Sequence, residues 1–164
     1  MLSFKRMFLG MSMLLIALTV VACGSSGGTT PTNSVTIIKT APATVNGQSV
    51  TILTNVQGMT LYYFKPDTAA KSACTGTCAG NWPPLLFPGT GSPSSATSLS
   101  GTLSVVTDAN GQQVEYNGHP LYTYAQDTAP GQTNGEGIKG VWFVATTTLS
   151  VQGAPQATPP GYGY

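Results

Sequence analysis

Residues 58–69, Gly-Met-Thr-Leu-Tyr-Tyr-Phe-Lys-Pro-Asp-Thr-Ala, return as residues 118–129, Gly-His-Pro-Leu-Tyr-Thr-Tyr-Ala-Gln-Asp-Thr-Ala, at an offset of 60 with no gap. The same offset carries Gly80 onto Gly140 and Trp82 onto Trp142. Spacing held that long across divergent residues indicates duplication of one supersecondary unit. Two copies are few for an open solenoid, so they are expected to close on each other. Asn46-Gly47-Gln48 also resembles Asn110-Gly111-Gln112, but there the offset slips by four. The slip marks that loop as free to vary and the Tyr-to-Trp stretch as the constrained part.

Each copy reads as β structure. Gly, Pro, Ser and Thr interrupt every helix-length window, whereas short runs of β-branched and aromatic residues lie between turn formers. The runs are 35–38, 49–54, 61–64, 85–87, 103–106, 113–116, 120–124 and 141–145. Asn46-Gly47 marks a turn, and Asn117-Gly118 is a strong type I′ hairpin signal. The spacing predicts an all-β domain over residues 35–151, a small antiparallel sandwich or barrel with pseudo-twofold symmetry. Repeat one falls at about 46–88 and repeat two at about 103–146, with Gly89–Ser100 as the connecting loop. Residues 152–164 are Pro/Gly-rich and read as a disordered tail.

The first 22 residues carry an address. Lys5 and Arg6 precede an apolar stretch, Met7 to Val21, about as long as a signal-peptide h-region and short for the roughly 20 residues of a membrane span. It ends Val20-Val21-Ala22-Cys23, a bacterial lipobox pattern in which Cys23 would become the diacylated N-terminus. Each buried acyl CH₂ contributes about 0.8 kcal/mol, so two or three chains anchor a protein. Gly24 to Ser34 has no apolar face, and residues 23–34 read as the lipidated cysteine and a flexible linker. The expected location is the cell envelope, lipid-anchored and extracytoplasmic: the outer membrane if the cell has two membranes, otherwise the outer face of the cytoplasmic membrane.

Only 7% of residues are charged. Without residues 1–22, Lys39, Lys65, Lys71 and Lys139 face Asp67, Asp108, Glu115, Asp127 and Glu136. No basic patch results, which argues against nucleic acid as a partner. Setting Cys23 aside leaves Cys74 and Cys78, an even pair outside the cytoplasm and most simply a disulfide, closed over Gly76. The sharper readings are a redox dithiol or a metal site, although the chain's one histidine, His119, is distant in sequence and reads as a surface turn residue.

The repeated residues have bland and sharp readings. Tyr62 and Phe64, like Tyr122 and Tyr124, share a strand face, with Leu61 and Tyr63 on the other. They are expected to fill the core, the alternative being an exposed platform for sugars. Trp82 and Trp142 read as core anchors of their repeats. Asp67 and Asp127 end their strands and read as turn residues whose carboxylates accept backbone N–H bonds, which predicts a low pKa for such a group. Weaker readings are a catalytic acid/base pair and a Ca²⁺ site from Asp127, Asn134 and Glu136. No nucleophile motif, phosphate loop or zinc signature is present, so no catalytic residue, resident metal or cofactor is expected, and the chain is not expected to be an enzyme.

Tyr62-Tyr63-Phe64-Lys65-Pro66-Asp67 and Tyr122-Thr123-Tyr124-Ala125-Gln126-Asp127 are both Tyr-x-aromatic-x-x-Asp. With the Cys-x-x-x-Cys loop running into Asn81-Trp82-Pro83-Pro84, the Gly-rich stretch ending in Val141-Trp142, and the lipobox, the chain resembles the secreted tandem-repeat lipoproteins marked by a Tyr-x₄-Asp motif. That family carries no established activity. The resemblance implies architecture and location. A repeat of aromatic and turn residues without a catalytic set makes the expected role binding or structural, in a lipid-anchored extracytoplasmic β-domain whose partner is an unidentified envelope protein or glycan. The alternative is an envelope redox or metal-handling accessory using Cys74, Cys78, Asp127 and Glu136.

Overall fold

A computed structural model describes residues 33–154. Cys23, the signal segment, most of the linker and the tail from 155 on lie outside the described residues. Eight strands form: β1 (Ser34–Val45), β2 (Gln48–Asn55), β3 (Tyr62–Phe64), β4 (Ser92–Ser95), β5 (Leu103–Asp108), β6 (Gly111–Tyr116), β7 (His119–Pro120) and β8 (Trp142–Val144). A short helix α1 (Thr77–Asn81) and a 3-10 turn (Ile138–Gly140) complete the described elements. The strands make three sheets, β2-β1-β4, β3-β8 and β5-β6-β7, which stay open and do not close into a barrel. The chain is all-β, as its patterning predicts.

The turns follow their sequences. Asn46-Gly47 and Asn117-Gly118 both have positive φ at the two central positions, the type I′ geometry, and close the β1–β2 and β6–β7 hairpins. Pro42 sits within β1 because it pairs with Thr51, whose carbonyl bonds Thr147 on the far side of β2. Its missing N–H therefore faces the open edge of the sheet.

Three details depart from expectation. The 89–100 loop contains β4, which pairs with β1 in parallel, so the sheets are not purely antiparallel. The cysteine loop leads into α1, whose five residues carry no apolar periodicity to announce them. Gln152, assigned to the tail, is tied down: its N–H bonds the Asn117 carbonyl and its Nε2 donates to the Asp67 carbonyl at 2.6 Å.

The two repeats interlock. Tyr62 and Tyr122 face each other as an antiparallel pair, N–H to carbonyl in both directions at 2.8 and 3.0 Å. From there each repeat lends its Trp-bearing segment to the other. β3 of repeat one pairs with β8 of repeat two. Residues 81–85 of repeat one run beside 121–125 of repeat two, with Ala125 N–H on the Asn81 carbonyl and Leu85 N–H on the Leu121 carbonyl. Their counterparts are Lys65 to Val141 and Ala145 to Leu61. The exchange divides the interior in two. Leu53, Leu61, Val114, Leu121 and Ala145 pack with Ile38 and Tyr116 on one face; Ile52, Tyr62, Tyr122, Val144 and both tryptophans pack on the other.

Candidate functional site

The motif residues meet on the second face. Burying a large side chain there contributes about 1.5–3 kcal/mol each, and the rings add specific contacts. Trp82 and Trp142 lie parallel at 3.8 Å, with Phe64 stacked on Trp142 at 4.3 Å and Tyr124 on Trp82 at 4.2 Å. The result is one column, Phe64–Trp142–Trp82–Tyr124, that alternates between repeats. Tyr62 and Tyr122 meet it edge-on, at 5.4 Å from Trp82 and 5.1 Å from Trp142. The tryptophans are thus anchors of the junction, each stacked on an aromatic of the other repeat.

The aspartates are exchanged as well. Tyr62 Oη donates to Asp127 Oδ2 at 2.6 Å, and Tyr122 Oη donates to Asp67 Oδ2 at 2.8 Å. Each carboxylate's other oxygen takes a backbone N–H, Ala73 onto Asp67 at 2.7 Å and Asn134 onto Asp127 at 3.1 Å. These are loop closures six and seven residues long rather than local Asx turns. Both carboxylates and both phenols are buried.

Electrostatics corrects one expectation. Burial pushes the Asp67 carboxyl up to about 6, the opposite of the low value predicted for a turn aspartate. The Ala73 N–H and the Tyr122 hydroxyl pull it down, and nearby Asp108 and Glu115 push it further up. Desolvation outweighs two hydrogen bonds. Burial likewise raises the Tyr62 phenol, reinforced by its bond to Asp127, and the Tyr122 phenol, where Asp67 adds to the rise and the Ser72 bond opposes it. Neither phenol ionises near neutrality.

The partners that finish the two sites were not singled out by the sequence. Ser72 Oγ lies 2.5 Å from Tyr122 Oη, and Asn110 Nδ2 bridges Ser72 Oγ, the Cys74 carbonyl and Gln113 Oε1. In repeat two the Gly135 N–H donates to Tyr62 Oη at 3.2 Å. A Cβ on Gly135 would stand 2.7 Å from the Tyr62 ring and 2.8 Å from Trp82, so only glycine fits. The signal that could have found it, Asn134-Gly135-Glu136-Gly137, reads equally well as a cation loop.

The weaker candidates are otherwise engaged. Glu136 accepts from the Val144 N–H at 2.7 Å and Asn46 Nδ2 at 3.1 Å, pinning β8 to the β1–β2 hairpin. Among the described residues no group of three His, Cys, Asp or Glu could hold a metal ion. Cys74 and Cys78 form a disulfide. His119 is half-buried in β7, edge-on to Tyr63 at 5.0 Å with Nε2 at 3.1 Å from the Ser150 carbonyl; it is a packing residue of the junction, not a free turn residue.

Fold and site together define a tandem-duplicated β protein whose repeats complete each other's motif. Residues 43–86 and 104–146, just over half of the chain, match the family described as a secreted repeat of unknown function, and the chain belongs to that family. The matched segments are the two interlocked repeats, and the family places the chain outside the cytoplasm. No helix among the described residues is long and apolar enough to cross a membrane. No curated protein and no solved structure matches the chain.

Proposed function

We propose that the chain is a lipid-anchored β-domain of the cell envelope that binds or scaffolds rather than catalyses, its doubled motif serving as an interlock. The observation that carries this is the reciprocal pair Tyr62–Asp127 and Tyr122–Asp67. All four groups are buried and bonded to one another or to backbone, which leaves none of them presented to a substrate. The lipobox at Ala22-Cys23 supports the anchor, and the family's secreted character agrees with it. Intact mass of the chain purified from envelopes should carry the added acyl mass on Cys23, and Cys23→Ala should leave the membrane fraction. An unmodified, freely soluble chain would refute the anchor. For the interlock, Asp67→Asn should lower the melting temperature; an unchanged melting temperature with loss of a measurable turnover would sink it.

The geometry weighs against the redox alternative. Cys78 is half-exposed, whereas Cys74 is fully buried among apolar rings. A thiolate attacking Cys78 would have to expel Cys74 as a thiolate into that apolar interior, where an unpaired charge is costly to bury. Tyr62 and Tyr122 are buried and offer no platform for a sugar, and half-buried Phe64 and Tyr124 each have one face taken by a tryptophan.

A further inference from the structure

The junction has an open end. A cleft of about 280 Å³ lies where α1 of repeat one meets the 3-10 turn of repeat two, lined by Phe64, Trp82, Trp142, Cys78, Ile138 and Lys139 among others. At the 60-residue offset its walls include matched positions: Trp82 with Trp142, Cys78 with Ile138 and Asn81 with Val141. The tryptophans at its base are identical in the two copies, while the rim has diverged at each of those other positions. Among the described residues Lys139 is the one charged side chain lining the cleft, and it is exposed. It also sits at φ 52, a left-handed conformation uncommon for a side chain of this kind, although glycine occupies positions 137 and 140 on either side. A strained residue kept where glycine would relax the chain points to a use for its side chain.

We propose that this cleft binds a small planar aromatic carboxylate, its ring against Phe64 and the indole edges at the base, both indole faces being taken within the column, and its anion on the Lys139 ammonium. The volume lies at the lower edge of the roughly 300–1,000 Å³ usual for ligand sites, which limits the occupant to one or two fused rings. An apolar base with one cation at the rim selects an anion on a flat apolar body over a polar or cationic ligand. This deepens the binding part of the proposed function and rests on it. The anchor and the interlock are read by mass and by melting temperature, so those readings stand or fall separately.

The test titrates the full purified chain with naphthalene-2-carboxylate, following the indole N–H resonances. Trp82 and Trp142 are the two tryptophans of the sequence, so both signals report on the cleft. Saturable shifts are expected with a dissociation constant of about 0.1–1 mM. Naphthalene-2-carboxamide should bind about three- to fivefold more weakly, the size of a partly exposed ion pair, and Lys139→Gln should erase that difference. Lys139→Gly should also lose the preference for the acid while melting about 2–5 °C higher as its backbone strain is relieved. The proposal is overturned if no saturable shift appears, if acid and amide bind alike to the unsubstituted chain, or if Lys139→Gln keeps the preference.

Discussion

The two repeats reach one buried geometry by different means. In repeat one, the loop after Asp67 is held by the Cys74–Cys78 bond and by side chains, with Ser72 Oγ and Asn110 closing around Tyr122. In repeat two, the loop after Asp127 has no cysteine and is held by Gln132 Oε1, which accepts the Thr128 and Ala129 N–H groups, and by the Asn134 and Gly135 N–H groups on Asp127 and Tyr62. Beyond the tryptophans the copies part again. Phe143-Val144 continues as a ladder in β8, whereas Pro83-Pro84 has no N–H to donate, so that this segment only accepts there, Thr123 N–H on the Pro83 carbonyl, and donates again from Leu85. Tyr, Asp, Trp and one loop N–H on each carboxylate are shared, while the groups that hold the loops themselves differ. The constraint therefore lies at the junction between copies rather than within either loop.

Removing the junction should accordingly do more damage than removing either support. Trp82→Ala and Trp142→Ala should each cost about 3–5 kcal/mol, in line with large-to-small core changes. Because the rings stack on each other, the double variant should cost clearly less than the sum. Denaturant titration measures this. Equal additivity, or a large effect at one tryptophan only, would break the picture of one shared column.

A titration separates Asp67 next. Its carboxyl is raised to about 6 in the folded chain against an ordinary value of 3.8, so the folded state binds the proton more tightly than the unfolded state. That stability is fully present below about pH 4 and is lost as pH rises through about 6, amounting to roughly 2–3 kcal/mol. Glu115, also raised by burial, acts in the same sense. His119, lowered by burial, opposes it by favouring the unfolded state as pH falls. The measurement is therefore the difference between the unsubstituted chain and Asp67→Asn at pH 4 and pH 7.5. A difference that does not shrink toward alkaline pH would contradict the raised value.

The supports come after. Replacing both Cys74 and Cys78 by Ser should cost about 2 kcal/mol, the loop-entropy value for so small a ring. Amide exchange should then accelerate over residues 72–81 first and leave 127–140 protected. Equal loss in both loops would mean that the disulfide acts on the junction itself rather than on one copy's loop.

Sequence patterning made the unit visible but not its partner. Tyr62 and Phe64 could be assigned to one strand face, and Leu61 and Tyr63 to the other, because side chains alternate along a strand. The Asn-Gly turns were legible because their backbone demands those residues. Nothing local distinguishes a Trp segment that folds back on its own repeat from one that crosses to its twin, since both bury the same side chains. Likewise Tyr62 could have met Asp67 or Asp127. β4 was illegible because Ser92-Pro93-Ser94-Ser95 has no strand preference and is recruited by β1. The raised Asp67 carboxyl was missed because a turn aspartate and a buried one look alike until the depth of the loop is known.

The smallest predicted effect tests the crossing most directly. Gly58 and Gly118 are equivalents, at φ 85 and φ 79. A Cβ on Gly58 would stand 3.3 Å from Pro130, just after the Asp127 turn, and one on Gly118 would stand 3.1 Å from Ala69, in the Asp67 turn. Each glycine thus abuts the other repeat's aspartate loop. Gly47, also at positive φ, would meet nothing within 4 Å. Alanine at any of the three carries the left-handed backbone penalty of about 1–2 kcal/mol. At 58 and 118 it must also displace a neighbour across the junction. Gly58→Ala and Gly118→Ala should therefore lower stability by similar amounts, each more than Gly47→Ala. If all three cost the same, the close approach of one repeat to the other's turn contributes nothing, and the interlock would rest on the Tyr–Asp bonds and the tryptophan column alone.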